Sequence, residues 1–338
     1  MGLRKWNGTQ RHKMDKKKKK ALVIGGATLL LLIGLSIGAG LYMLDFSLRP
    51  VNRGKDMEGS MAYMRQTYPH IVPWIDSLTR CQALRDTFIT APDGIRMHAF
   101  YVRAPQPTAH TAVIVHGYTD NAIRMFHIGY LYNRSLGCNI LLPDLRYAGL
   151  TEGNAIQMGW LDRKDVMQWI DVAPRIFGDS IRTVVHGISM GAATTMMLSG
   201  ETLPDYVRCF VEDCGYTSVW AQFEKELKNL FHLPAFPLLY VTEWICQLQN
   251  GWDFHEASAL NQIKKCHKPM FFIHGDKDDF VPTEMVYQLY EAKPQPKVLW
   301  IVPETDHAHS YRNHPKEYTE KVKAFVMPYL SDETKIGN

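Results

Sequence analysis

Two hydrophobic rhythms divide the chain. Residues 21–44 carry no charged side chain and are rich in Leu, Ile, Gly and Ala, so a helix drawn through them is apolar on every face. At 1.5 Å per residue these 24 positions give a helix about 36 Å long, enough to cross about 30 Å of hydrocarbon with some tilt. A single membrane-spanning helix over 21–44 is therefore expected. The second rhythm begins near Arg85. The stretch to Arg103 alternates around Ala91-Pro-Asp-Gly94, which predicts a hairpin with Ile95, Met97, Ala99 and Tyr101 on one face. Six short apolar runs follow, at Thr111–Val115, Asn139–Leu142, Thr183–Val185, Cys209–Val211, Met270–Ile273 and Val298–Val302. Helical patterns separate most of them. Parallel neighbours need such crossovers, so the fold class is α/β, with a mostly parallel eight-stranded sheet and helices on both faces.

Two segments depart from that alternation. Residues 45–80 carry Pro50, Gly54 and Gly59, then Tyr63, Tyr68 and Trp74, and read as a linker plus a helix docked on the domain. Residues 215–267 hold Trp220, Phe223, Phe231, Phe236, Tyr240, Trp244 and Trp252, interrupted by Pro234 and Pro237. That insertion is too long for a simple crossover and too aromatic for a solvated loop. It is expected to form a helical cap over the rim of the sheet, the alternative being helices that only enlarge the core. The expected organisation is thus a basic tip at 1–20, the span at 21–44, the linker and docking helix at 45–80, and one α/β domain at 81–338 with the cap insertion at 215–267.

Charge changes the picture at one end. The net charge is +4, but the first twenty residues hold nine Lys or Arg against Asp15, leaving the rest at −4. A mildly acidic body speaks against nucleic acid as a partner. The five lysines Lys16 to Lys20 lie directly before the span and should stay cytoplasmic, which puts everything after Asp45 on the extracytoplasmic side. A cleaved signal peptide is the competing reading, with Gly38-Ala39-Gly40 as a poor cleavage site. The six cysteines contain no C-x-x-C pair, demand no disulfide framework and suggest no zinc site.

Ligands in a parallel sheet bind at the carboxyl ends of its strands. His116-Gly117, Asp144, Gly187-Ile188-Ser189, Asp213, His274-Gly275 with Asp276 to Asp279, and Asp306-His307 all follow the apolar runs and so share one rim. In Gly187-Ile-Ser-Met-Gly191 a serine on a sharp strand-to-helix turn is lifted clear of the sheet, and the Met190 amide opens a helix where it lacks an intrahelical partner. Ser189 is the expected nucleophile. For the base, His307 is preferred over His309; for the acid, Asp278 is preferred over Asp213, with Asp276 and Asp279 flanking it. His116, His186 and His274 each precede a glycine at a strand end and are expected to be packed, hydrogen-bonded groups. The Tyr118 amide, after Gly117, is the second expected oxyanion donor. Tyr118, Trp220 and Phe223 are the expected substrate contacts.

From about Thr87 to Val326 the chain resembles the serine hydrolases of the α/β-hydrolase superfamily, within the prolyl-oligopeptidase-like and lysophospholipase-like esterases of bacteria. The resemblance rests on His116-Gly-Tyr, Asp144-Leu-Arg146, Gly187-Ile-Ser-Met-Gly191, His274-Gly-Asp-Lys-Asp278 with Val281-Pro282, and His307-Ala308, in that order. It implies Ser189 as nucleophile, Asp278 as acid, His307 as base and the Tyr118 and Met190 amides as oxyanion hole. Where relatives often carry Arg-Gly-His-Gly, this chain has Arg146-Tyr147-Ala148-Gly149, which bears on substrate rather than on the triad. The expected activity is hydrolysis of a carboxylic ester through an acyl-serine, with no metal or organic cofactor and a small ester or lipid-like substrate. A peptidase or acyltransferase on the same fold is the alternative within enzymes, and a non-catalytic anchored binding protein the alternative outside them.

Overall fold

The computed structural model describes residues 16–50 and 53–331; residues 1–15, most of the expected basic tip, lie outside the described residues. Helix α1 runs from Lys16–Leu48 and is the one described helix long and apolar enough to cross a membrane. From Lys16 to Ala39 it stands clear of the domain, with only Ser36 half-buried. Its last turns do not. Gly40, Leu44 and Leu48, at every fourth position, are buried, and burying a leucine is worth about 1.5–3 kcal/mol. Past residue 44 the helix continues for another turn, and Asp45 pairs with Arg49 just beyond its end at 3.2 Å.

Helices α2 (Met57–Thr67) and α3 (Val72–Arg80) follow in place of a loose linker, α2 capped by Asp56 accepting from the Gly59 amide. The hairpin comes next, as β1 (Arg85–Thr90) and β2 (Arg96–Val102). The alternating part is β3 (His110–Val115), α4 (Phe126–Tyr130, continued by a π turn over Leu131–Ser135), β4 (Asn139–Pro143), α5 (Asp162–Phe177), β5 (Arg182–Ile188), α6 (Met190–Ser199) and β6 (Val207–Asp213). The insertion then contributes α7 (Val219–Phe231), α8 (Leu238–Asn250) and α9 (Ala259–Ile263). β7 (Met270–Gly275), α10 (Glu284–Ala292), β8 (Lys297–Val302), α11 (Ser310–Asn313) and α12 (Pro315–Leu330) complete the chain.

The eight strands form one sheet in the order β1-β2-β4-β3-β5-β6-β7-β8. β2 pairs antiparallel with β1 and β4, and every other pairing is parallel. Strand alternation divides the core in two: Val113, Val115 and Val185 point to one face, Ala112, Ile114 and Val184 to the other. Because β3 to β8 run the same way, their carboxyl ends make one rim. Over it lie α7 and α8, separated by Pro234 and Pro237 and ended by His232 and Gly251 in the left-handed conformation.

Candidate active site

The strand-to-helix turn between β5 and α6 consists of Ser189, whose φ of 58° and ψ of −120° are strained for a residue with a Cβ, at a cost of about 1–3 kcal/mol. The two glycines around it are needed for contact. A Cβ on Gly187 would lie 2.0 Å from the Gly191 carbonyl oxygen, and one on Gly191 would lie 2.1 Å from that of Val115. The turn thus closes tightly on the sheet and turns the hydroxyl outward.

Ser189 Oγ is 2.8 Å from His307 Nε2, and His307 Nδ1 is 2.7 Å from Asp278 Oδ2. Asp278 is held from two sides. Its Oδ1 accepts the Phe280 and Val281 amides at 3.0 and 2.8 Å, while Oδ2 lies 3.2 Å from His274 Nε2, which also bonds the Val281 carbonyl at 2.8 Å. Burial by itself would raise the Asp278 pKa, but hydrogen bonds from His274 and His307 outweigh it and hold the carboxyl well below the usual range. The same exchange raises His274: burial opposes its charge, and its hydrogen bonds to Asp278 and the Val281 carbonyl outweigh it.

The alternative acid and base are engaged elsewhere. Asp213 accepts from Ser310 Oγ at 2.9 Å and Tyr318 OH at 3.0 Å, and burial lifts it to about 6. Asp276 and Asp279 are exposed. His309 faces a polar cavity beside the serine, and burial lowers its pKa. His116 bonds the Gly117 carbonyl and accepts the Leu145 amide, and His186 bridges Tyr132 and Tyr318 at 3.0 Å each. Gly117 lies against the serine, where a Cβ would be 3.5 Å from that of Ser189, so the chain carrying the Tyr118 amide passes next to the hydroxyl. Met190 is the first residue of α6, where no intrahelical carbonyl receives its amide. In Arg146-Tyr147-Ala148-Gly149, Gly149 is required: a Cβ there would overlap the Asp144 carboxylate, which accepts the Ala122 and Leu150 amides and pairs with His98 at 2.6 Å.

Two cavities meet at Ser189. The larger, about 530 Å³ and mostly apolar, is walled by Tyr118, Met158, Phe223, Leu230 and Phe280 and by Tyr42, Asp45, Phe46 and Ser47 of α1, with Arg49 and Glu226 as further charged groups in its lining. The smaller, about 340 Å³, is lined by Tyr63, Asp120, Arg124, His307 and His309. Of the expected substrate contacts, Tyr118 and Phe223 face the larger cavity. Trp220 does not line it: its ring is stacked on His255 at 4.0 Å and edge-on to Tyr240 at 4.8 Å, captured by the cap's own packing. The sequence pattern had no signal for Phe46 and Ser47, which lie just past the charge at Asp45 and were assigned to the linker.

Cys214, Asp278 and His307 bring ligand-type atoms within 4.8 Å of one another. Both ring nitrogens of His307 are already engaged, and burial holds the Cys214 thiol far above its ordinary pKa, so the donor set suits proton relay rather than a cation. A second group, Glu243, Asp253 and His255, is on the cap, where Glu243 and Asp253 accept the His255 amide. All six cysteines are unpaired, and five of them are buried.

Residues 152–333 match the model of the prolyl oligopeptidase family. The chain is 30% identical over 242 residues to the "uncharacterized protein YqkD" of Bacillus subtilis, covering 72% of this chain and 78% of that protein. It is 24% identical over 253 residues to the "uncharacterized protein YfhR" of Escherichia coli K12, covering 72% and 81%. Among solved structures, the Pyrococcus furiosus esterase Pf2001 superposes with a TM-score of 0.60 at 21% identity, covering 75% of this chain and 96% of the esterase. Est1E from Butyrivibrio proteoclasticus, solved with ferulic acid bound, superposes with a TM-score of 0.57 at 18% identity, covering 72% and 99%. The fold is thus that of the α/β-hydrolases, and the chain belongs to the prolyl oligopeptidase family.

Proposed function

We propose that the protein is a membrane-anchored serine hydrolase that cleaves carboxylic esters through an acyl-serine, with Ser189, His307 and Asp278 as its triad. The observation that carries this reading is the hydrogen-bonded path from a strained serine to a buried carboxylate, 2.8 Å and then 2.7 Å long. Asp278, kept ionised, fixes the proton on His307 Nδ1 and leaves Nε2 to take the Ser189 proton as Oγ attacks the carbonyl carbon. The Met190 and Tyr118 amides receive the oxyanion. Collapse expels the alcohol, which takes its proton from His307 Nε2. Water, deprotonated by the same nitrogen, then attacks the acyl carbon and frees the acid and the serine. The proton count closes without a cofactor.

Purified full-length protein should react with a fluorophosphonate probe, and Ser189→Ala should abolish the labelling; equal labelling of both would remove Ser189 as nucleophile. Amide cleavage is the second reading, favoured by the family match. A p-nitrophenyl ester and the p-nitroanilide of the same acyl group separate the two, with faster ester turnover expected. We further propose that α1 is retained as a single-pass anchor with Lys16 to Lys20 in the cytoplasm. Buried Leu44 and Leu48 support retention, since loss of α1 would bare their partners.

A further inference from the structure

The apolar cavity at Ser189 does not end inside the domain. One of its walls is the anchor: Tyr42, Phe46 and Ser47 of α1 line it together with Phe223 and Leu230 of the cap. α1 is fixed in that position by bonds to the rim, the Ser47 carbonyl accepting the Tyr118 hydroxyl at 2.8 Å and the Leu48 carbonyl accepting the Ile156 amide at 2.8 Å. It also lies tightly on α8, where a Cβ on Gly40 would come within 2.9 Å of Val241 and Ile245. Phe46 meets the Phe231 ring edge-on at 5.6 Å.

The two helices run antiparallel. Gly40 faces Val241 and Ile245, whereas Met43 and Ser47 share a pocket with Leu238 and Thr242. The far end of α8 therefore points back along the apolar span. On that helix Tyr240, Trp244 and Leu248, at i, i+4 and i+8, form an exposed stripe 50%, 56% and 66% accessible, and Phe236 extends it, 5.9 Å from Tyr240. A continuous apolar stripe is an unusual thing to leave in water, and aromatic residues beside a span sit at the membrane interface. The free part of α1, from Ala21 to Ala39, is about 28 Å long at 1.5 Å per residue, close to the hydrocarbon thickness. The interface then falls at the level of Gly40 and Tyr42, where the cavity reaches α1.

We propose that the cavity is a lipid port: the cap's α8 face rests in the bilayer that holds α1, and a long-chain carboxylic ester of that bilayer enters sideways, between α1 and α7, to place its carbonyl at Ser189. The acyl chain occupies the apolar cavity, and the polar alcohol portion occupies the smaller cavity beside Asp120, Arg124 and His309. The anchor is then part of the acyl site as well as a tether. This rests on the serine-hydrolase reading for its chemistry, but the occupancy of the port is testable without turnover.

In phosphatidylcholine vesicles carrying a diazirine on the acyl tail, full-length Ser189→Ala protein should be photolabelled at Phe223, Leu230 and Phe280, inside the cavity. Labelling confined to the exposed length of α1 would overturn the port whatever the enzyme's activity. Active protein in vesicles doped with a long-chain fluorogenic ester gives the second readout. In Trp244→Glu/Leu248→Glu, the ratio of long-chain to p-nitrophenyl acetate turnover should fall at least tenfold; an unchanged ratio would also overturn the port. Labelled cavity residues in a protein that hydrolyses neither ester would instead overturn the serine-hydrolase reading and leave the lipid site standing.

Discussion

The two sides of the Ser189 cleft are made from different materials. On the rim side the groups around the serine are held by directional bonds: Asp278 by two amides and two imidazoles, His116 and His186 each by two partners, and Asp144 by two amides and His98. On the opposite side, α1, α7 and α8 meet mainly through Phe46, Phe231, Leu44, Ile245 and Val241, with few directional bonds. Hydrogen bonds fix atoms to a fraction of an ångström, whereas apolar packing fixes volume and tolerates repacking. On the proposed mechanism, chemistry belongs to the first side and choice of substrate to the second.

The largest effect that tests this division is on the rim. Asp278→Asn retains an oxygen for the Phe280 and Val281 amides but offers His307 a donor where an acceptor is needed, so kcat should fall about 10⁴-fold with KM little changed. A loss under tenfold would remove Asp278 from the relay. The wall side answers in stability. Leu48→Ala should cost about 2–5 kcal/mol, read as a lowered denaturation midpoint in detergent, whereas Leu35→Ala, 61% exposed on the free part of α1, should stay within about 0.5 kcal/mol. Equal effects would mean that the two halves of the helix are not different after all.

Phe223→Ala should lower kcat/KM for an octanoyl ester about tenfold, roughly 1.4 kcal/mol, while the acetyl ester changes little. A uniform drop would move Phe223 from the acyl site to the scaffold. A further test is in pH. Burial, partly opposed by His274, raises Glu212 from an ordinary 4.5 to about 8. Its contribution to stability is then complete below about 4.5 and is lost as pH rises through about 8, at up to about 1.4 kcal/mol per pH unit. Glu212→Gln can still accept the Gly215 amide and removes this slope, so its melting temperature relative to the wild type should climb between pH 5 and pH 8. A pH-independent difference would show that Glu212 is ionised in the fold.

What the sequence made readable follows the same division. Strand ends are marked by apolar runs that stop at Gly, Asp or His, and a parallel sheet forces those ends onto one rim, so the neighbourhood of Ser189, Asp278 and His307 could be drawn without coordinates. The wall could not. Residues 21–44 hold no charged position, and the buried set Gly40, Leu44 and Leu48 is invisible because amphipathicity needs strongly polar positions for contrast. Asp45 then looked like the end of the helix, although its carboxylate pairs with Arg49 in the lining of the larger cavity. Trp220 was misplaced for a related reason: aromatic content identified a cap, but whether a ring faces the cavity or His255 and Tyr240 is decided by tertiary packing.

On the proposed anchoring, the absence of any joint between the free and buried parts of α1 sets the kind of motion left to the domain. A domain on a flexible linker tumbles and samples a hemisphere of solution. One mounted on a continuous rod, with the rod across a bilayer, holds Ser189 at a single height and in a single attitude, and keeps only drift in the plane and spin about the normal. With the proposed lipid substrate, its encounters become a two-dimensional search, in which a substrate's time in the leaflet, more than its concentration in water, decides how often it is met.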